Sequence, residues 1–318
     1  MGRWAWSACP RRSRASSRSG AGSPPRARED VEVASASGRI RPARPSGILL
    51  KTADEIDRMR RAGQIVALVL QRLGEAAQAG ITTAELDRLA EATIRSFGAV
   101  PSFYKLYGYP AHICTSVNDE VVHGIPGDRV LREGDIISFD VGATVGGMIA
   151  DAAATVPVGP VSERARRLLR VTQEALEAGI AQVRPGNRVW DIGAAIQRRV
   201  EADGYSVVRK LVGHGVGREM HEPPQVPNFA AGRREQSPEL EPGMTLAIEP
   251  MVNEGTWRVV QDSDGWTYRT KDGSLSAHFE HTVVVTEEGG EVLTRREGLL
   301  GGGRTAEREG VGRRSSGE

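Results

Sequence analysis

Cysteine is nearly missing from this 318-residue chain. The two that occur, Cys9 and Cys114, can build neither a disulfide framework nor a thiolate zinc cluster, and they fit a reducing compartment such as the cytoplasm. No run approaches the ~20 apolar residues needed to cross a bilayer, which excludes a transmembrane helix, and no membrane partner is expected. A charge excess is missing too: 42 Lys+Arg stand against 41 Asp+Glu, so composition selects neither DNA nor any other polyanion. There is no G-x-S-x-G elbow, no Walker loop and no CxxC pair, which removes serine hydrolase, P-loop NTPase and thiol redox chemistry. What is present is ordinary for a globular protein. Apolar residues make up 39% and glycine contributes 38 positions, enough for one large core or two smaller ones.

Charge is unevenly spread. Residues 1–46 hold ten arginines and three acids, residues 301–318 hold four arginines and three glutamates, and the body between them carries about −7. The first 28 residues contain seven arginines, many serines and no acid, but no apolar segment of the secretory type. That composition fits an organellar transit peptide, a disordered extension or a start codon placed too far upstream. Met1-Gly2 begins a myristoylation-like pattern, which fails because Trp6 stands where Ser or Thr is required. We therefore expect a disordered Arg/Ser/Gly/Pro-rich extension over 1–46, a folded domain over 47–300 and a disordered tail over 301–318.

The body opens with a helix signature. Thr52 can cap an N-terminus with Glu55 three residues on, and Ile56, Met59, Ile65, Val66, Val69, Leu70 and Leu73 keep near-helical spacing. A second helix is expected from Thr83 to Phe97, and the plan repeats at Ser162 to Val183 and Val189 to Ala202. Gly80 through Gly98 aligns with Gly186 through Gly204 at a constant offset of 106, pairing Glu85 with Asp191 and Leu86 with Ile192. Strand-like sequence follows each pair: Ile113 to Val122 and Asp135 to Val158, then Met244 to Val252 and Ala277 to Thr286. The pattern predicts two related α+β halves with a site at their junction, although amphipathic helices alone can produce such a match.

Four acids stand in apolar, strand-like runs: Asp140, Asp151, Glu249 and Glu280. If Val145-Gly146 forms a hairpin turn, Asp140 and Asp151 face each other across the strands, and two carboxylates that close call for a cation or a shared proton. A bulge that turns them into solvent fits the spacing equally well. Hard oxygen donors joined by a histidine suit Mn, Co, Fe or Zn. Of six histidines, His123, His214 and His221 lie in Gly- or Pro-rich stretches read as loops. The segment HEPPQ is not a zincin helix, because its prolines would break one.

The order of His123 in HGIP, Asp140, Asp151, His214 in GHGVG, His221 in HEPPQVPNF, Glu249 in IEPMV, Trp266 in DGWT and Glu280 in FEHTVVV resembles type I methionine aminopeptidase. This is a pita-bread-fold metallopeptidase of peptidase family M24. The likeness spans about 47–297. Only 28 positions separate His221 from Glu249, leaving no room for the helical insertion of type II enzymes, and the cysteine-rich extension of eukaryotic type I enzymes is missing. The bacterial form is the nearest match.

The resemblance implies two pseudo-symmetric α+β halves with antiparallel sheets around a dinuclear site. It implies that Asp140, Asp151, His214, Glu249 and Glu280 hold two divalent ions (Co, Mn, Fe or Zn), with Asp151 and Glu280 bridging. A water or hydroxide between the ions would attack, and Glu249 would take its proton. His221 would stabilise the developing oxyanion, and His123 would assist proton transfer to the leaving amine. Phe103, Leu106, Tyr109, Cys114, Met220 and Trp266, with the two histidines, would bind the substrate. Leu106 and Met220 depart from the usual aromatic residues at their positions. The partners implied are nascent polypeptide N-termini, met by a monomer near the ribosomal exit tunnel. Two competing readings are a metal-free pita-bread adaptor that binds RNA or protein, and another M24 aminopeptidase such as prolidase. The complete ligand set argues against the first, and the absence of a sizeable folded domain ahead of residue 47 argues against the second.

Overall fold

In the computed structural model, which describes residues 47–295, paired capping boxes start the first two helices. Helix α1 spans Ala53–Ala76. Thr52 Oγ1 accepts from the Glu55 N–H at 3.3 Å while the Glu55 carboxylate accepts from the Thr52 N–H at 2.8 Å. Helix α2, Thr83–Ser96, repeats the arrangement with Thr82 and Glu85. Each box satisfies two backbone donors that a helix start leaves without partners. The second pair is α3, Glu163–Ile180, and α4, Val189–Ala202. Helices α2 and α4 begin and end 106 residues apart, the offset read from the sequence. Glu85 and Asp191 both occupy the third helical position and accept from the N–H at the cap, and Leu86 and Ile192 are both fully buried. Helix α2 ends one residue before the expected Phe97. Helix α3 ends at Ile180, three short of Val183, because Pro185 disfavours a helical Arg184 and the chain turns ahead of it.

Strands in the first half are β1, Val100–Pro101; β2, Cys114–Val117; β3, Glu120–Val122; β4, Ile136–Val145; and β5, Met148–Pro157. Those of the second are β6, Ser206–Val207; β7, Gly213–Gly215; β8, Glu222–Val226; β9, Thr245–Ile248; β10, Met251–Asn253; β11, Val259–Gln261; β12, Tyr268–Thr270; β13, Ser276–His278; β14, His281–Val285; and β15, Gly290–Val292. The long β4–β5 hairpin carries β2 and β1 along the free edge of β4. The second half answers with an antiparallel sheet in the order β15-β14-β9-β7-β8. Two small sheets, β13-β10-β6 and β11-β12-β3, complete the layers.

The halves are stitched together where β5 meets the start of β14. Ala153 and Glu280 exchange backbone hydrogen bonds of 3.3 and 2.9 Å. Thr282 Oγ1 donates to the Asp151 carbonyl at 2.7 Å and accepts from its N–H at 2.9 Å. One apolar core runs through both, joining Leu70 and Phe139 to Leu168, Ile196 and Val283. This is the α+β arrangement of two related halves expected from the repeat. No helix among the described residues is long and apolar enough to cross a membrane. The expectations for residues 1–46 and 301–318, and for the last five positions of the 47–300 domain, lie outside the described residues.

Two expectations need correction. The hairpin turns at Gly146-Gly147, not Val145-Gly146, with φ of 54° and 77°. Both central residues of this tight turn sit at positive φ, which glycine adopts freely and a β-branched valine resists. Val145 therefore pairs with Met148, Asp140 lies opposite Ala153, and Asp151 lies opposite Gly142. The two aspartates are diagonal neighbours, not direct partners. Moving the turn by one residue shifts the register by two, so they keep a common face. The long strand-like runs also divide. Met244 to Val252 breaks at Glu249-Pro250, and Ala277 to Thr286 breaks at Phe279-Glu280, so both glutamates stand at gaps between strands.

Candidate metal centre and active site

Those gaps aim both glutamates at the aspartates. Asp140 projects from β4, Asp151 from β5 and His214 from β7, where the sequence had suggested a loop. Ligand atoms of Asp151, His214 and Glu280 all lie within 4.8 Å of one another. His214 Nε2 is 3.4 Å from Glu249 Oε1, and the carboxyl groups of Asp140 and Asp151, diagonal neighbours on one face of the hairpin, are close enough to influence each other's ionisation. All five expected metal ligands thus converge, two from the first half and three from the second.

Burial makes this cluster expensive without a cation. Desolvation raises the Asp140 pKa to about 7. It also raises Asp151 well above its ordinary value, helped by the charges of Glu280 and Asp140, and raises Glu249 and Glu280 well above theirs with help from the neighbouring acids. Asp140 Oδ1, Asp151 Oδ1 and Glu280 Oε1 are shielded from solvent and receive no hydrogen bond from the protein. Burial lowers the His214 pKa to about 4, and its Nδ1 lies 2.9 Å from the Gly215 carbonyl. A neutral ring donating from Nδ1 leaves the Nε2 lone pair to face the acids. Several hard oxygens without donors and one imidazole nitrogen fit first-row divalent ions, so the residues present suit a metal centre.

Two further histidines flank the cluster. His221 precedes β8, with its ring edge-on to His214 at 4.4 Å and stacked under Tyr107 at 5.8 Å. His123 follows β3 at a left-handed φ of 61° and packs edge-on to Tyr268 at 6.1 Å. Burial, then the proximity of His214, lowers His123 to about 3; the same causes, with His123 added, lower His221 to about 2. His278, which the sequence reading passed over, is buried with Nε2 4.0 Å from Glu249 Oε2. Its one signal was its place two residues ahead of Glu280. His112 and His281 are engaged elsewhere, by Asp87 and Glu91 and by Thr294.

A buried apolar cluster adjoins the acids. Phe103, Tyr109, Cys114 and Met220 form a buried cluster with Ala111, against which Leu106 and Trp266 pack. All six expected pocket residues therefore come together, joined by Ile125 and Ile149, which no local pattern marked. Tyr109 is held by donating its hydroxyl hydrogen toward the carbonyls of Ile113 and Gly124, at 3.1 and 3.0 Å, and Trp266 meets its ring edge-on at 5.1 Å. Cys114 pairs directly across the sheet with Asp140, so the apolar cluster and the acid cluster meet across one pair of strands.

Comparison with known proteins agrees with this geometry. The family model described as "Metallopeptidase family M24" matches residues 57–287. A methionine aminopeptidase of Clostridium perfringens is 52% identical over 247 residues, covering 78% of this chain and 98% of the relative. The crystal structure of a methionine aminopeptidase from Thermotoga maritima superposes with a TM-score of 0.76 at 47% identity, covering 78% of this chain and all of that one. A prolidase from Pyrococcus horikoshii matches at a TM-score of 0.63 and 21% identity, covering 78% of this chain and 64% of its own, which shows a shared fold alone.

Proposed function

The chain belongs to metallopeptidase family M24, and from that premise we propose that it hydrolyses the peptide bond after an unblocked N-terminal methionine, the activity for which the similar proteins from Clostridium perfringens and Thermotoga maritima are named. The observation that carries this reading is the cross-strand pairing of Cys114, in the buried apolar cluster that we read as the side-chain pocket, with Asp140, in the acid cluster. A side chain seated in that pocket brings its own backbone to the acids. Phe103, Leu106, Tyr109, Met220 and Trp266 offer an unbranched apolar chain its contacts, and the Cys114 thiol is a polarizable neighbour for a thioether.

Asp140, Asp151, His214, Glu249 and Glu280 would hold two divalent ions (Co, Mn, Fe or Zn). When bound, such ions lower the pKa of water and polarise a carbonyl. The chain's own groups do the rest. The Glu249 carboxylate takes the proton lost by the attacking water. The His221 imidazole donates a hydrogen bond to the oxygen on which charge develops, and His123, across the cleft, passes a proton to the departing amine. The free α-amino group sits among the acids, which requires it to be unblocked. The second residue must clear His123 and His221, which favours Gly, Ala or Ser. We place the reaction in the cytoplasm, on chains leaving the ribosomal exit tunnel, with the enzyme acting as a monomer.

An adaptor that binds without catalysis has no use for buried acids that lack donors, so those oxygens favour the enzyme reading. The test compares Met-Ala-Ser, Met-Lys-Ser, formyl-Met-Ala-Ser and Leu-Ala-Ser peptides with the metal-loaded protein. Turnover of the first should exceed the others by about tenfold or more, since a lost pocket contact costs ~1–3 kcal/mol. Equal kcat/KM for all four would leave a general aminopeptidase instead.

A further inference from the structure

The short loop between β7 and β8 carries Met220 of the pocket wall and His221, yet its shape is set from the opposite end of the sequence. Glu222 lies directly after His221 with its side chain 2% exposed. Its Oε1 accepts from the N–H groups of Arg218 and Glu219 at 2.7 and 3.0 Å, folding the loop around one carboxylate oxygen. Its Oε2 receives Lys51 Nζ at 2.5 Å, and that side chain is only 1% exposed. Lys51 is itself fixed, with its backbone N–H on the Gly243 carbonyl at 2.8 Å and Nζ also on the Leu49 carbonyl at 3.2 Å. Its stem presses on the loop backbone so closely that a Cβ on Gly217 would lie 2.3 Å from Lys51 Cε. A second pair closes the rim. Arg218 Nε and Nη2 reach the two oxygens of Glu55 at 2.6 and 2.9 Å, and Glu55 is the capping-box residue of α1.

A buried ion pair is a poor source of net stability, because desolvation offsets most of its attraction. It does supply direction. With Oε2 tied to the ammonium, Oε1 turns to the two loop amides, and the backbone leading into His221 has one shape.

We propose that Lys51 and Glu222, backed by Glu55 and Arg218, are positioning residues that hold the His221 imidazole against His214 in the orientation the reaction needs. The proposal rests on the reading of His221 as the partner of the developing oxyanion. The clasp touches neither substrate nor metal. It should therefore act mainly on kcat through His221, with a smaller effect on KM through Met220 and metal content almost unchanged.

The full-length chain is tested as the double variant Lys51→Met with Glu222→Gln, which leaves no unpaired charge in the interior, and separately as Arg218→Met. Each is made with His221 present and in a His221→Ala background, and kcat, KM and bound metal are measured on Met-Ala-Ser. With His221 present, the double variant should lose about tenfold or more in kcat, with KM within about threefold. In the His221→Ala background it should lose less than about twofold, because coupled groups are not additive. Arg218→Met should show the same dependence on His221 with a smaller loss, and it decides the matter if the double variant does not fold. Equal losses in both backgrounds, an unchanged kcat or a loss of bound metal would overturn the clasp. If His221→Ala alone leaves kcat intact, the reading of His221 has failed, and the clasp fails with it for that separate reason.

Discussion

Oxygens of Asp140, Asp151 and Glu280 that are buried without a donor define what single substitutions should do here. Asp140→Ala should lose bound metal and turnover together while the protein still folds, because removing one buried acid lessens the repulsion among those that remain. His123→Ala and His221→Ala should keep their metal and lose roughly 10² or more in kcat, the usual cost of removing a proton-transfer group or oxyanion donor. Metal analysis beside steady-state kinetics separates the two classes, and metal loss in either histidine variant would make that residue a ligand. The acids were legible in the sequence because a carboxylate in an apolar run is out of place. Lys51 and Glu222 were not: they lie 171 positions apart, and each alone reads as an ordinary surface charge. Ile125 and Ile149 escaped for the same reason, since an apolar residue in an apolar stretch says nothing about which cluster it packs against.

Helices were the most readable elements, because capping boxes and a 3.6-residue apolar period are local features. The 106-residue repeat even set both ends of α4 relative to α2. The β4–β5 hairpin was readable except for one residue of turn position, a choice that rests on which residues tolerate positive φ. Strand ends around Glu249 and Glu280 were hidden by continuous apolar sequence. The N-terminus of α1 supports a prediction in pH. Burial alone would raise the Glu55 pKa, but hydrogen bonds from Arg218 and the Thr52 N–H outweigh it and hold the carboxyl at about 2, below its ordinary 4.5. A depressed folded-state pKa gives stability that is complete above the unfolded value and lost as pH falls through the folded one. Glu55→Gln should therefore lower the melting temperature at pH 7, and its difference from wild type should shrink as pH drops from 4.5 towards 2. A difference independent of pH would mean that the charge on Glu55 is not what secures the start of α1.

At the scale of the whole molecule, the site is a seam. Asp140 and Asp151 come from the first half, His214, Glu249 and Glu280 from the second, and the backbone bonds between Ala153 and Glu280 run beside them. Metal held by these residues would cross-link the halves and oppose the mutual repulsion of the acids. A ligand that binds only the folded state stabilises it by about 2.7 kcal/mol at a hundredfold excess over Kd. For a domain of this size each kcal/mol moves Tm by ~2–4 °C, so metal-stripped protein should gain about 5–10 °C when Mn or Co is restored. One core runs through both halves, so the shift should move a single transition and not split it. Asp140→Ala should lose most of that gain, because the cross-link then lacks one of its first-half ligands. Calorimetry of stripped and reloaded protein decides the point. Two separated transitions, only one of them sensitive to metal, would place the ions within one half and contradict a site built from both.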